Sequence, residues 1–214
     1  MLGAVLNLLF IGNSLTASND LPGLIAAMGR ATGIEIHCTV IAWPNFSLED
    51  HWADGEARRA IARGGWSHVI LQQGPSALPD SRILLHEYAR RFDRDVRDAK
   101  GRTAFFMVWP SAARRDDFDR VSASYRGAAE VTHGLLLPAG DAWRAAWRQD
   151  PDLPLYGPDG FHPSPLGSYL AALTLFHGLT RQFPPAQSAP AGISARQLEM
   201  LRAAVTEAAA GRGR

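Results

Sequence analysis

Three residues of types suited to nucleophilic and acid–base work stand far apart in the chain: Ser14, Asp159 and His162. A serine hydroxyl is a poor nucleophile until a base removes its proton, and an imidazole needs an acceptor to fix its tautomer. Serine, histidine and aspartate fill those roles together, as acyl transfer requires. Ser14 follows the uncharged run Leu8-Leu9-Phe10-Ile11 and the pair Gly12-Asn13. A continuous apolar run of this kind reads as a strand covered on both faces in a parallel sheet. Gly12 and Asn13 are residue types that tolerate a sharp backbone reversal. Ser14 is thereby expected at the carboxyl end of a strand, where open α/β sheets hold their ligands. Asp159 and His162 lie three residues apart in the Gly/Pro-rich stretch from Tyr156 to Ser164. Taken singly, Ser14 also reads as a helix cap, Asp159 as a β-turn aspartate before Gly160, and His162 as a loop histidine packed by Pro163.

Gly12-Asn13-Ser14-Leu15 and the distant Asp159-Gly160-Phe161-His162-Pro163 resemble the first and last blocks of the SGNH (GDSL-like) hydrolase family, in its order and at the length of its single domain. The resemblance implies Ser14 as nucleophile, His162 as base and Asp159 as its orienting carboxylate, with an oxyanion held by backbone and side-chain donors. The family's second block offers a glycine N–H where this chain has Asn45, and asparagine tolerates the left-handed backbone a glycine would adopt there. The third block, usually G-x-N-D with a donating asparagine amide, is replaced by Gln72-Gln73-Gly74-Pro75-Ser76-Ala77. Ser76 stands at the asparagine position. Two glutamines ending a buried strand need hydrogen-bond partners, which makes Gln72 or Gln73 a substitute amide donor; alternation directs neighbouring side chains oppositely, so one of them serves. Trp43 and Phe46 read equally as pocket walls or as core aromatics.

Asp141 is a competing carboxylate beyond the fifth strand. The other histidines, His37, His51, His68, His86, His133 and His177, show no ligand spacing, so no metal and no cofactor is expected. The reaction expected is hydrolysis of a carboxylic ester through an acyl-enzyme. The absence of a lid insertion favours short acyl groups, and Trp43, Trp52, Trp109 and Tyr156 suggest stacking on a sugar, hence removal of acetyl groups from a saccharide. Two other readings stay open: an acyltransferase on the same triad, and a ligand-binding protein of this fold with weakened catalysis.

Strands are expected over about 5–11, 34–42, 68–72, 103–109 and 135–138. Helices are expected from Asp20 to Arg30 with Gly33 as stop, across Trp52, Ala57 and Ile61, from Ser81 as N-cap through Val96, over 116–132 and 141–147, from Pro165 after the cap Ser164, and after a capping box at Ser194 to Gln197. The alternation predicts one α/β domain over 1–214: a three-layer α/β/α, doubly wound, mainly parallel sheet of about five strands. The flavodoxin-like order 2-1-3-4-5 follows from the family resemblance.

The 214 residues have 46% hydrophobic and 20% charged side chains and a net charge of +1, an ordinary globular balance. No basic block or aromatic–basic interleaving occurs, which argues against nucleic acid. A single cysteine, Cys38, excludes an intramolecular disulfide and reads as a buried structural thiol. No stretch is long and apolar enough to cross a membrane. The apolar start lacks a basic residue and a cleavage site, so a cytoplasmic chain is expected unless a leader has been trimmed. The expected partner is a small-molecule or carbohydrate ester, and the sequence carries no sign of an oligomeric state.

Overall fold

In the computed structural model, which describes residues 5–211, β1 (Val5–Gly12) is flanked by β2 (Glu35–Ala42) and β3 (His68–Leu71); β4 (Thr103–Phe106) and β5 (Leu135–Leu137) extend the sheet. All pairings are parallel and the order is 2-1-3-4-5. Leu8, Leu9, Phe10 and Ile11 have no solvent exposure, as a strand with both faces covered demands. The edge strand β2 buries only Ile36 and Ile41. Its Cys38 is only half-buried, with Sγ donating to Pro22 O at 3.5 Å; burial pushes the thiol up to about 11.

The helices are α1 (Ser14–Ala17), α2 (Leu21–Thr32), α3 (Leu48–Asp54), α4 (Glu56–Ala62), α5 (Pro79–Asp98), α6 (Phe118–Thr132), α7 (Ala139–Gln149), α8 (Pro165–Thr180) and α9 (Ala195–Ala210). Contacts group α3 to α6 as one layer, and α2, α7, α8 and α9 as another. Residues 1–4, the first part of the apolar start that runs from Met1 to Ile11, lie outside the described residues. Among the described residues no helix is long and apolar enough to cross a membrane.

Several boundaries differ from expectation for local reasons. The stretch across Trp52, Ala57 and Ile61 is two helices, because Gly55 at φ 81° caps α3 and opens α4. Ser81 is not an N-cap: Pro79 sits in the first turn of α5, Leu78 is the cap residue, and Ser81 Oγ donates to Leu78 O at 3.0 Å. Strand β4 ends at Phe106, yet Met107, Val108 and Trp109 remain fully buried; the apolar run continued past the ladder as a core loop. Asp20 and Gly33 do cap α2, the glycine at φ 74°.

Candidate active site

Ser14 is the first residue of α1, at the carboxyl end of β1, and Asn13 is its N-cap with Oδ1 accepting from Leu15 N. Asn13 is extended, at φ −131°, so no reversed backbone explains the glycine before it. Gly12 is required by crowding: a Cβ there would collide with Thr16 Oγ1 and Gln72 Oε1.

That glutamine is the support beneath the serine. Gln72 is 1% exposed. Its Oε1 accepts from Asn13 N and from Thr16 Oγ1, each at 2.8 Å, and its Nε2 donates to Asn13 Oδ1 at 3.0 Å and Gln73 O at 2.7 Å. On the other side Gly12 O accepts from His51 Nε2 at 2.7 Å. The carbonyl fixes the proton on Nε2, and burial holds the imidazole below its ordinary value. Asn13 Nδ2 donates to Phe46 O at 3.1 Å, tying in the loop before α3.

The histidine arrives from the opposite end of the chain. Its loop closes on itself through Gly157 N to His162 O at 2.7 Å and Ser164 N to Leu155 O at 2.9 Å. It docks through Ala112 N to Gly160 O at 2.7 Å and Trp109 Nε1 to Phe161 O at 3.1 Å. Asn19, just beyond α1, donates from Nδ2 to Pro163 O at 3.0 Å and Ser168 Oγ at 2.8 Å, a tether between the two ends that sequence reading missed.

The outcome is a short polar chain. Asp159 Oδ1 accepts from the N–H groups of Phe161 at 3.0 Å and His162 at 2.9 Å, and Oδ2 lies 2.5 Å from His162 Nδ1. His162 Nε2 lies 2.9 Å from Ser14 Oγ. A carboxylate on Nδ1 requires the proton there, which leaves Nε2 free to accept the serine proton. The imidazole hydrogen bond, then the two backbone N–H groups, holds the Asp159 carboxyl down to about 2. Such an arrangement can activate a hydroxyl for attack on an electrophilic carbon.

Asp141 is elsewhere: its Oδ2 accepts from Arg126 Nη2 at 2.8 Å and Ser122 Oγ at 3.1 Å. It cannot replace Asp159 beside His162. Among the described residues no group of three or more His, Cys, Asp or Glu side chains is gathered as for a metal ion.

The cleft beside Ser14 encloses about 590 Å³, walled by Asn45, Phe46, Pro75, Leu78, Leu84 and Phe161 among others. Asn45 has φ 63°, the left-handed conformation expected of it. The amide-donor expectation for the glutamines fails on counting hydrogens. Gln73 Oε1 accepts from Leu48 N at 3.1 Å, and its Nε2 donates to Ser76 Oγ at 3.0 Å and Ser81 O at 3.1 Å. Gln72 and Gln73 each have both amide hydrogens engaged within the protein, and each oxygen is fixed by a backbone donor. Ser76, at φ 57°, directs its hydroxyl to Gly74 O at 3.0 Å, so it is committed as well. Ser14, Asn45 and Gly74 line this cleft, and their backbone N–H groups have no acceptor among the described residues.

The aromatics read as sugar platforms are also placed otherwise. Trp109 is fully buried and stacked on Trp143 at 3.7 Å. Trp52 packs on Phe92 under Arg58, and Tyr156 packs against Trp143 and donates to Pro110 O at 2.7 Å. Trp43 is exposed but bonded to Glu56, outside the cleft lining. Among the described residues the cleft aromatics are Phe46, for which the pocket-wall reading holds, and Phe161.

No family model and no curated protein matches the sequence. Among solved structures, a protein from Slackia heliotrinireducens provisionally described as an SGNH hydrolase is 25% identical, covering 82% of this chain and 99% of that one at a TM-score of 0.70. A DUF4886 family protein from Bacteroides uniformis ATCC 8492 is 21% identical, covering 96% and 95% at a TM-score of 0.78. Axe2-W215I, an acetyl xylan esterase from Geobacillus stearothermophilus, is 15% identical, covering 86% and 99% at a TM-score of 0.68. The five-stranded parallel sheet flanked by helices is the α/β fold that the SGNH hydrolase neighbour shares.

Proposed function

We propose that this protein is an SGNH/GDSL-type serine esterase for small carboxylic esters, with Ser14 as nucleophile, His162 as general base and acid, and Asp159 as the group that orients the imidazole. The observation that carries this reading is the 2.9 Å approach of Ser14 Oγ to His162 Nε2 across 148 residues of sequence, with Asp159 on the other ring nitrogen at 2.5 Å. In the first half-reaction Ser14 Oγ gives its proton to Nε2 and bonds to the carbonyl carbon; the tetrahedral adduct collapses, the ester C–O bond breaks, and the alcohol leaves with the proton from Nε2. Water then attacks the acyl-serine, returning a proton through Nε2 to Ser14 Oγ as the acid departs. Developing negative charge on the carbonyl oxygen needs preorganised donors. With the glutamine amides spent, we assign that role to the N–H groups of Ser14, Asn45 and Gly74.

The compact cleft favours short acyl groups. An acetyl xylan esterase shares the fold, which keeps an O-acetylated saccharide among the substrates to try. Fluorophosphonate labelling followed by peptide mapping tests the nucleophile: an adduct on Ser14 is expected, and labelling only at another serine would overturn the assignment. Hydrolysis of 4-nitrophenyl acetate should vanish in Ser14→Ala while the circular dichroism stays that of the parent. Product analysis with competing methanol separates hydrolysis from transfer; a methyl ester as the dominant product would shift the reading to an acyltransferase.

A further inference from the structure

Two charged side chains, Arg114 and Asp117, stand in the lining of a cleft otherwise made of apolar and neutral polar groups. They belong to the 3₁₀ segment Ala112–Asp117, which is kinked at Arg114, at φ −128° and ψ 33°. Asp117 is 3% exposed, and an unpaired carboxylate so deep would be costly. Two guanidinium groups answer it: Arg114 Nη2 lies 2.5 Å from Oδ2, and Arg120 Nη2 bonds Oδ1. Two cations on one carboxylate leave one positive charge over. Neighbouring Asp116 is exposed and Arg115 is drawn over the Trp147 ring at 4.2 Å; neither lines the cleft.

The surplus charge is presented by Arg114. Its side chain is 50% exposed, and one Nη stands against Asp117 Oδ2 as an ion pair that lacks hydrogen-bond geometry. Among the described residues no other acceptor meets it. A guanidinium has five N–H donors in a planar fork matched to a carboxylate. A guanidinium already drawn to a buried carboxylate loses less freedom on binding a second anion than a free one does. Arg114 and Ser14 line one cleft whose walls also include Phe46, Ala77, Leu78, Pro110 and Phe161, apolar surface suited to a short hydrocarbon body.

We infer that Arg114 is a specificity-determining residue that selects carboxylic esters bearing a second, ionised carboxylate. The inference rests on the esterase reading of the same cleft. It does not depend on whether that carboxylate sits on the acyl or the alcohol portion, and two probes separate these cases: mono-4-nitrophenyl glutarate carries it on the acyl side and 4-acetoxybenzoate on the alcohol side, with 4-nitrophenyl acetate and phenyl acetate as neutral counterparts.

In the parent protein kcat/KM for at least one anionic probe should exceed that of its neutral counterpart. In Arg114→Gln that ratio should fall about tenfold, through KM, as loss of one charge-assisted contact predicts. Arg114→Lys should retain part of the preference. Binding of glutarate and of benzoate measured by calorimetry gives a readout independent of turnover: weaker binding in Arg114→Gln supports the subsite even if no ester is hydrolysed, an outcome that would fail only the esterase reading. Equal anionic-to-neutral ratios in parent and variant, or no carboxylate binding by the parent, would overturn the inference.

Discussion

The two halves of the candidate site are built in opposite ways. On the serine side, polar groups are sunk in the protein: Gln72 and Thr16 are 1% exposed and His51 is fully buried. On the histidine side, the His162 and Asp159 side chains are 42% and 52% exposed, on a loop with few buried polar atoms. Burial makes each satisfied hydrogen bond on the serine side a condition of folding, because an abandoned donor there loses water without gaining a partner. Exposure makes the imidazole–carboxylate pair cheap to hold and cheap to lose. Damage to the histidine side should therefore cost chemistry and leave the fold; damage beneath the serine should cost both.

The largest effect expected is on rate. His162→Ala should lower ester turnover about a thousandfold or more, as loss of a triad member does elsewhere, while chemical denaturation shifts by no more than about 0.5 kcal/mol, the range of exposed substitutions. A large loss of stability in that variant would break the contrast. Asp159→Asn should follow at about a hundredfold or more in kcat, again with little change in unfolding.

Gln72→Leu comes next and tests the other half. The apolar replacement leaves Asn13 N–H and the Thr16 hydroxyl without the oxygen each now reaches at 2.8 Å. A cost of about 2–3 kcal/mol in urea unfolding is expected, together with slower turnover as Ser14 loses its footing. If stability were unchanged but the rate collapsed, Gln72 would be acting on the substrate rather than on the backbone.

The same contrast sets what could be read from the sequence. Ser14, Asp159 and His162 announce themselves through local surroundings: an apolar strand before the one, a Gly/Pro loop around the others. The strand order was legible by family resemblance, and the helix caps at Ser164 and Ser194 by composition. The use made of Gln72 was not. Its partners at Asn13 and Thr16 are 59 and 56 positions away, and nothing in Gln72-Gln73 distinguishes an amide turned toward substrate from one folded back on the first strand. Similarly, Trp109 reads as a sugar platform until its burial and its stacking on Trp143 are seen. By contrast Arg114, Asp117 and Arg120 carry an i, i+3 charge spacing that a search for ion pairs would have found.

The smallest effect is one of pH, and it separates the two halves without mutating either catalytic side chain. Burial lowers His51 below its ordinary 6.5. The unfolded chain then takes up a proton near pH 6.5 that the folded chain still refuses, so stability is full above that point and declines as pH falls toward the lower folded value. Burial, then Arg102, does the same to His68. Asp159 is displaced in the same direction but acts in another window: its stabilisation is present above its ordinary 3.8 and is lost only as pH falls toward about 2. Between pH 7 and 5 the exposed pair is thus silent through its carboxylate, and buried His51 and half-buried His68 supply the slope. Urea unfolding at pH 7, 6 and 5 should show falling stability in the parent and a shallower fall in His51→Gln, whose amide can still donate to Gly12 O but does not titrate. An equal slope in parent and variant would mean that the serine side is not held by a neutral, buried imidazole.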